Sequence, residues 1–422
     1  MRFYKKTLKN GLRIITVPMK DNPTVTVLVL VEAGSKYETK DINGLSHFLE
    51  HMCFKGTSKR PRPIDIAHEL DALGAQSNAF TSLEFTGYYA KAEAKHFAKL
   101  LDIVSDVYLN PIFLEKEIEK EKGVIVGEID MSRDIPMREV QHIFMDLLYG
   151  DQPAGRSVLG TKNTVRSMTQ KHFLEYRKKH YVASGTIVLV AGDINTRDVI
   201  QNVQKQFTSI PTSRKHTKPK IKEVQEKPQV LVKYKKTDQT HLVLGIRSYG
   251  ILHKDVPVLE VLSGVLGKGM SSRLFQKLRE EMGVGYYVRA SNDAFTDHGF
   301  LDVSAGVDNK RVHEVVCVIL EEFKKLTQEL VAKRELKKVK DFMIGNMYLG
   351  LESSDDLAEF YGLQEIIRKR ILTSKEVAKE IKAVTAADIK RVARNIFQNK
   401  NLNLALIGPF RDKKAFSKIL KL

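Results

Sequence analysis

The sequence predicts an α+β chain built from two homologous halves, and three observations carry that expectation. A segment of helical periodicity leading into a buried strand and a glycine turn occurs twice. Thr169 to Thr385 and Gly192 to Gly408 are each 216 residues apart, so two landmarks agree on one offset. The 422 residues suit two folding units rather than one. Within the first half, residues 1–15 and 74–90 read as β segments while the His47–His51 motif and residues 115–130 read as helical, so both element types are present.

Composition is that of a globular protein. Apolar residues make up 42% and charged residues 28%, and no apolar run approaches the length of a membrane span. The net charge of +18 raises nucleic-acid binding as a reading. The basic residues fall in separate places, Arg177–His180, Arg214–Lys222, Lys333–Lys340 and Arg368–Arg370, with no nucleic-acid motif, so no nucleic-acid partner is expected. Cys53 and Cys317 are the two cysteines and lie far apart. That excludes a disulfide framework and points to a reducing compartment, with the cytoplasm as the expected location.

The elements follow in chain order. Residues 1–15 carry charge without a continuous apolar stretch and read as strand, turn and strand rather than a signal peptide. Next comes His47-Phe48-Leu49-Glu50-His51 in a helical context. His51 lies about 40° round the helix from His47 and one turn on, so both imidazoles can close on one metal ion. Glu50 sits about 60° to the other side, able to reach a metal-bound water without being a ligand, which is where a general base belongs. The order His-x-x-Glu-His inverts the commoner His-Glu-x-x-His. Residues 74–90 read as two β segments joined at a turn, rich in the aromatic and β-branched residues Phe80, Phe85, Thr86, Tyr88 and Tyr89.

An acidic helical segment covers residues 115–130. Glu115, Glu117 and Glu119 read as a solvated face. Glu121 and Glu128 are seven apart, on one face two turns apart, so one can bind metal while the other orients a ligand. Val124, Ile125, Val126 and Ile129 make the surroundings of Glu128 apolar. The basic, proline-bracketed stretch from Ile210 to Lys220 reads as a linker. The expected division is 1–211 for the metal-bearing domain, 212–222 for the linker and 223–422 for its homologue. With an offset of 217, Leu45–His51 falls on Leu262–Lys268, which keeps the apolar skeleton and lacks both histidines and the glutamate. The second half therefore reads as having kept the helix and lost the metal. Its glycine-bearing turn at 264–272 and the following Arg279 to Tyr286 stretch suit a wall facing a substrate.

The runs Val31–Glu38 and Asn43–Thr57, with Glu128 placed 77 residues after His51, resemble the inverzincin metallopeptidases of the pitrilysin and mitochondrial-processing-peptidase family (M16). The likeness extends over essentially the whole chain. It implies two domains, each an antiparallel β-sheet with helices packed on one face, in the short-chain form. It also implies one zinc ion per chain, held by His47, His51 and Glu128, with Glu50 as base and Glu121 supporting the ligands. Arg279 and Tyr286 match, at the same spacing of seven, the pair that the metal-free half contributes to catalysis. The strand around Asn78 and Ala79 corresponds to an edge on which an extended peptide adds as a further strand. The expected protein is a zinc endopeptidase of short or unfolded peptides, enclosed in a chamber formed by a homodimer. A heterodimer with an inactive homologue is the alternative assembly. The alternative function is a non-catalytic or partner-dependent peptide-binding subunit, which the intact motif disfavours.

Overall fold

The structure is a computed structural model and describes residues 2–422. In chain order the strands are β1 (Tyr4–Thr7), β2 (Arg13–Pro18), β3 (Thr24–Val31), β4 (Gln76–Thr81), β5 (Thr86–Glu93) and β6 (Thr186–Gly192). Then come β7 (Gln229–Tyr234), β8 (Gln239–Ser248), β9 (Gly285–Ala294), β10 (Gly299–Asp308) and β11 (Leu402–Gly408). They form a six-stranded sheet in the order β1-β2-β6-β3-β5-β4 and a five-stranded sheet in the order β7-β11-β8-β10-β9. The α+β class with two repeated domains holds, with one refinement. Each sheet is antiparallel except for one pair, β2 with β6 and β7 with β11. A strand that returns from a long helical excursion can pair parallel, which a hairpin cannot.

The repeat expected from the sequence is visible in the elements. Thr169 and Thr385 both cap helices, Gln170–His180 and Ala386–Ile396. Each helix leads to a seven-residue strand, β6 or β11, in which every residue is buried. Burial on both faces explains why these strands read as unbroken apolar runs rather than alternating ones.

The chain forms two compact units, neither contiguous. The first comprises residues up to Asp130, Ser157–Pro219 and Leu349–Thr373. The second comprises Met131–Arg156, Lys220–Tyr348 and Ser374–Leu422. The boundary between Pro219 and Lys220 falls within the expected linker. The contiguous halves 1–211 and 223–422 differ from the compact units in that each unit takes one helix from the other stretch of chain. The helices are Pro136–Tyr149 and Ser354–Arg368, whose starts are 218 residues apart, so they are the same element of the repeat.

This exchange also corrects the expectation that helices pack on one face only. In the first unit, Val25, Val27, Val29 and Val31 of β3 face a core that includes Phe48, Leu49 and Leu100. Leu28 and Leu30, with Ile187 and Leu189, face the other way, onto Leu357, Ala358 and Tyr361. Gly362 lets that helix sit close, since a Cβ there would lie 2.7 Å from Leu30 Cδ1. In the second unit Val243, Ala405 and Ile407 meet Val140, Phe144 and Leu148. Gly245 has the same role there, with Phe144 Cζ 2.7 Å from where its Cβ would be. The physical reason is apolar side chains on both faces of each sheet, each worth about 1.5–3 kcal/mol when covered.

The 212–219 stretch is tied down on the first unit. Lys215 Nζ pairs with Glu32, and Lys218 Nζ lies 2.7 Å from Glu84, both carboxylates being buried. Among the described residues no helix is long and apolar enough to cross a membrane.

Candidate metal centre and active site

The helix Leu45–Cys53 packs Leu45, Phe48, Leu49 and Met52 into the first unit's core, which turns His47, Glu50 and His51 toward a partly open side. Gly44 starts it with φ at +98°, a left-handed conformation, and a Cβ there would lie 2.7 Å from Leu159 O. The buried carboxylate of Glu38 closes the first turn. It accepts from Asn43 Nδ2 at 3.0 Å, Gly44 N at 2.7 Å and Ser46 N at 2.6 Å. Amides that the helix leaves unpaired at its start thus find one acceptor.

His47 Nε2 and His51 Nε2 are 3.3 Å apart. Glu128 Oε2, from the helix Glu115–Asp134, lies 3.6 Å from the first and 3.7 Å from the second. A tetrahedral zinc site with bonds of about 2.0–2.1 Å has edges of about 3.3–3.4 Å. The His47–His51 separation already matches one edge of such a tetrahedron, and the two to Glu128, at 3.6 and 3.7 Å, are a few tenths of an ångström longer. Two imidazole nitrogens and a carboxylate oxygen are zinc-type donors, and His47, His51 and Glu128 are the metal-capable cluster found among the described residues.

Glu121 orients one ligand. His51 Nδ1 donates to Glu121 Oε1 at 2.9 Å, which leaves Nε2 as the lone-pair nitrogen toward Glu128 and His47. Lys55 Nζ holds the other oxygen of Glu121 at 2.6 Å. Burial works to raise the Glu121 carboxyl, but the hydrogen bonds from His51 and Lys55 outweigh it and keep it below its ordinary range. His47 Nδ1, by contrast, is buried with no hydrogen-bond partner. Burial, with the neighbouring His51, pushes the His47 imidazole down to about 4, so it is neutral and able to ligate across the physiological range.

Glu50 is not one of the three donors, but its carboxylate is close enough to feel the charges of His51 and Glu128. Burial raises its carboxyl above the usual range, against the hydrogen bond donated by Thr81 Oγ1 to Oε2. A carboxylate with raised basicity next to a metal-capable cluster is suited to taking a proton from water.

The other expected residues are placed as follows. Asn78 and Ala79 lie on β4, the last strand of the six-stranded sheet, paired only with β5. Asn78 is exposed, and its Oδ1 accepts from Ala79 N at 2.9 Å. Arg279 and Tyr286 belong to the second unit. They are brought together locally: Arg279 Nη1 donates to the Tyr286 carbonyl at 2.7 Å, while the Tyr286 side chain is 59% exposed. Arg279 sits on a π-helical turn, Gln276–Glu281, and its guanidinium lies 5.4 Å from the Phe275 ring.

The second unit's counterpart of the metal helix, Val256–Gly267, has no room for a ligand. A Cβ at Gly264 would lie 2.7 Å from Val339 Cγ1 and 3.1 Å from Met343 Sδ. Apolar packing from the helix Lys333–Leu349 fills the position that offsets onto His47.

Sequence reading missed Lys55, Thr81 and the role of Glu38. Lys55 stands four residues after His51, a helical spacing that would have suggested a shared partner. Nothing local marks Thr81, because its contact with Glu50 spans 31 residues.

A helical pair of histidines and a carboxylate converging beside a separate glutamate, on a repeated α+β fold, fits the class of zinc metallopeptidases. The comparisons agree. Residues 13–162 match the family described as insulinase (peptidase family M16), and residues 167–343 match the peptidase M16 inactive domain. The uncharacterized zinc protease YmxG of Bacillus subtilis is 35% identical over 96% of this chain and 97% of its own length. The uncharacterized zinc protease SCO5738 of Streptomyces coelicolor is 31% identical over 97% of this chain and 90% of its own. A protease of Helicobacter pylori has a solved structure with a TM-score of 0.89 at 25% identity, covering 97% of this chain and 99% of that one. The chain belongs to peptidase family M16.

Proposed function

We propose that the protein is a zinc-dependent endopeptidase acting on short or unfolded peptides. The observation that carries this reading is the convergence of His47 Nε2, His51 Nε2 and Glu128 Oε2 within 3.3–3.7 Å, with Glu50 on the same helix left free of that set. The names of the relatives as zinc proteases support the same activity. His47, His51 and Glu128 would hold one zinc ion per chain. When bound, zinc supplies Lewis acidity, polarising the scissile carbonyl and making water acidic near neutral pH.

Glu50 takes the proton of the attacking water and passes it to the leaving amine nitrogen. Glu121 keeps His51 in the tautomer that ligates. The free edge of β4 at Asn78 and Ala79 accepts an extended peptide by main-chain pairing, which selects conformation rather than side chain. Arg279 and Tyr286 are assigned, on the family resemblance, to a substrate carbonyl and to the oxyanion. An enclosed chamber made by a homodimer would exclude folded proteins.

Hydrolysis of a quenched peptide library, with and without chelator and with Glu50→Gln, tests the reading. Activity is expected to vanish with chelator, return with zinc, and fall by at least about 100-fold in E50Q. Chelator-insensitive cleavage would sink the zinc-dependent reading, and no cleavage by the zinc-loaded chain would favour a non-catalytic peptide-binding subunit. Light scattering on the zinc-loaded chain checks the dimer.

A further inference from the structure

As the proposed base, Glu50 needs its carboxylate held still. It projects from the partly open side of its helix, where a glutamate side chain has several rotamers of similar energy. A base that wanders among them spends little time at the water. One hydrogen bond restrains it: Thr81 Oγ1 donates to Glu50 Oε2.

Thr81 is well placed for this. It is the last residue of β4, opposite Thr86 of β5. The turn that follows is closed by Ser82 N donating to Phe85 O at 2.8 Å. That turn is fastened to the 33–36 loop, where Ser35 N donates to Ser82 O at 3.2 Å and Lys36 N to Leu83 O at 2.8 Å. Gly34 permits the approach, since a Cβ there would come within 2.4 Å of Ser82 O. Thr86 Oγ1 gives its proton to Ala33 O at 2.8 Å, and at 3.5 Å it is a far more distant acceptor for the Thr81 hydroxyl than Glu50 Oε2 at 2.5 Å. A β-branched side chain with one stiff χ1 on a pinned hairpin is a rigid donor.

We propose that Thr81 is a positioning residue that fixes the Glu50 carboxylate. The proposal rests on Glu50 being the base, and its test separates the two. Thr81→Val removes the hydroxyl at nearly constant shape, and Thr81→Ser keeps it. A hydrogen bond to a charged group is worth about 10- to 100-fold. Accordingly, T81V is expected to lose about 10- to 100-fold in kcat on a quenched peptide. KM, bound zinc and Tm should stay close to wild type, and T81S should recover most of the loss. Crystals of the zinc-free proteins should show Glu50 in more than one rotamer in T81V and in a single one in T81S.

Wild-type kcat in T81V alongside an inactive E50Q would overturn the role of Thr81 while leaving the base assignment standing. Full activity in E50Q would overturn both. Should T81V fold poorly, T81A is compared with T81S instead, and equal loss in those two would show that the hydroxyl is not the cause.

Discussion

Glu121 has both oxygens engaged, one by His51 Nδ1 and one by Lys55 Nζ, so under the proposed zinc site its charge would tune His51 from outside the ligand set. Glu121→Gln is expected to weaken zinc binding by about 10- to 100-fold, read by chelator competition, with the zinc-free melting temperature little changed. A second residue-scale prediction concerns Asp302 of β10, which is 3% exposed. Burial chiefly pushes its carboxyl up to about 7, against a hydrogen bond from Ser291 and aided by the charge of Asp293. The folded protein therefore keeps this proton between about 4 and about 7, where the unfolded chain has released it. Stability from this group is full below that window and is lost as pH rises through it. Urea titrations should show Asp302→Asn gaining on wild type between pH 5 and pH 8, and a constant difference would refute the assignment. Glu128 was joined to the histidines by the family resemblance, while the grouping of His47, Glu50 and His51, and of Glu121 with Glu128, was legible because helix periods relate them. Thr81 was not, since its contact is made only when a distant hairpin folds against the metal helix.

At the scale of elements, the helix Glu115–Asp134 supplies Glu121 and Glu128 yet carries Gly123 and Gly127 in its interior. Both are exposed, and nothing lies within 4 Å of where either Cβ would be. Glycine inside a helix costs about 0.5–1 kcal/mol relative to alanine. Gly123→Ala and Gly127→Ala should each raise stability by roughly that amount in denaturant titrations. The reverse holds at Gly34, Gly44 and Gly264, where backbone or side-chain atoms occupy the space of a Cβ. The repeated helix and strand near residues 169–192 and 385–408 were readable because capping threonines and apolar runs are local signals. The parallel pairing of β2 with β6 was not, because no local pattern records which neighbour a buried strand chooses.

For the whole molecule, the exchange of Pro136–Tyr149 and Ser354–Arg368 makes each unit dependent on the other stretch of chain. A fragment ending at residue 222 lacks the helix that covers Leu28, Leu30, Ile187 and Leu189. It should aggregate or bind hydrophobic dye when expressed alone, and co-expression with residues 223–422 should restore a soluble, zinc-binding complex. A monomeric, dye-negative fragment would show that the exchanged helix is dispensable.

The sequence by itself placed His47, Glu50 and His51 together on one helix, set Glu121 and Glu128 on one face of another, and showed that the second copy lacks the motif; only the family resemblance joined Glu128 to the histidines. The first three rest on spacing along one helix or on self-similarity, both of which a linear string preserves. Only the tertiary structure decided that three donor atoms meet within 3.3–3.7 Å, that Glu50 is held by a hairpin, and that each sheet takes a helix from beyond its own half. These depend on which surfaces meet after the chain has folded. For Ser354–Arg368 an apolar face shows that a partner exists without saying which sheet it is.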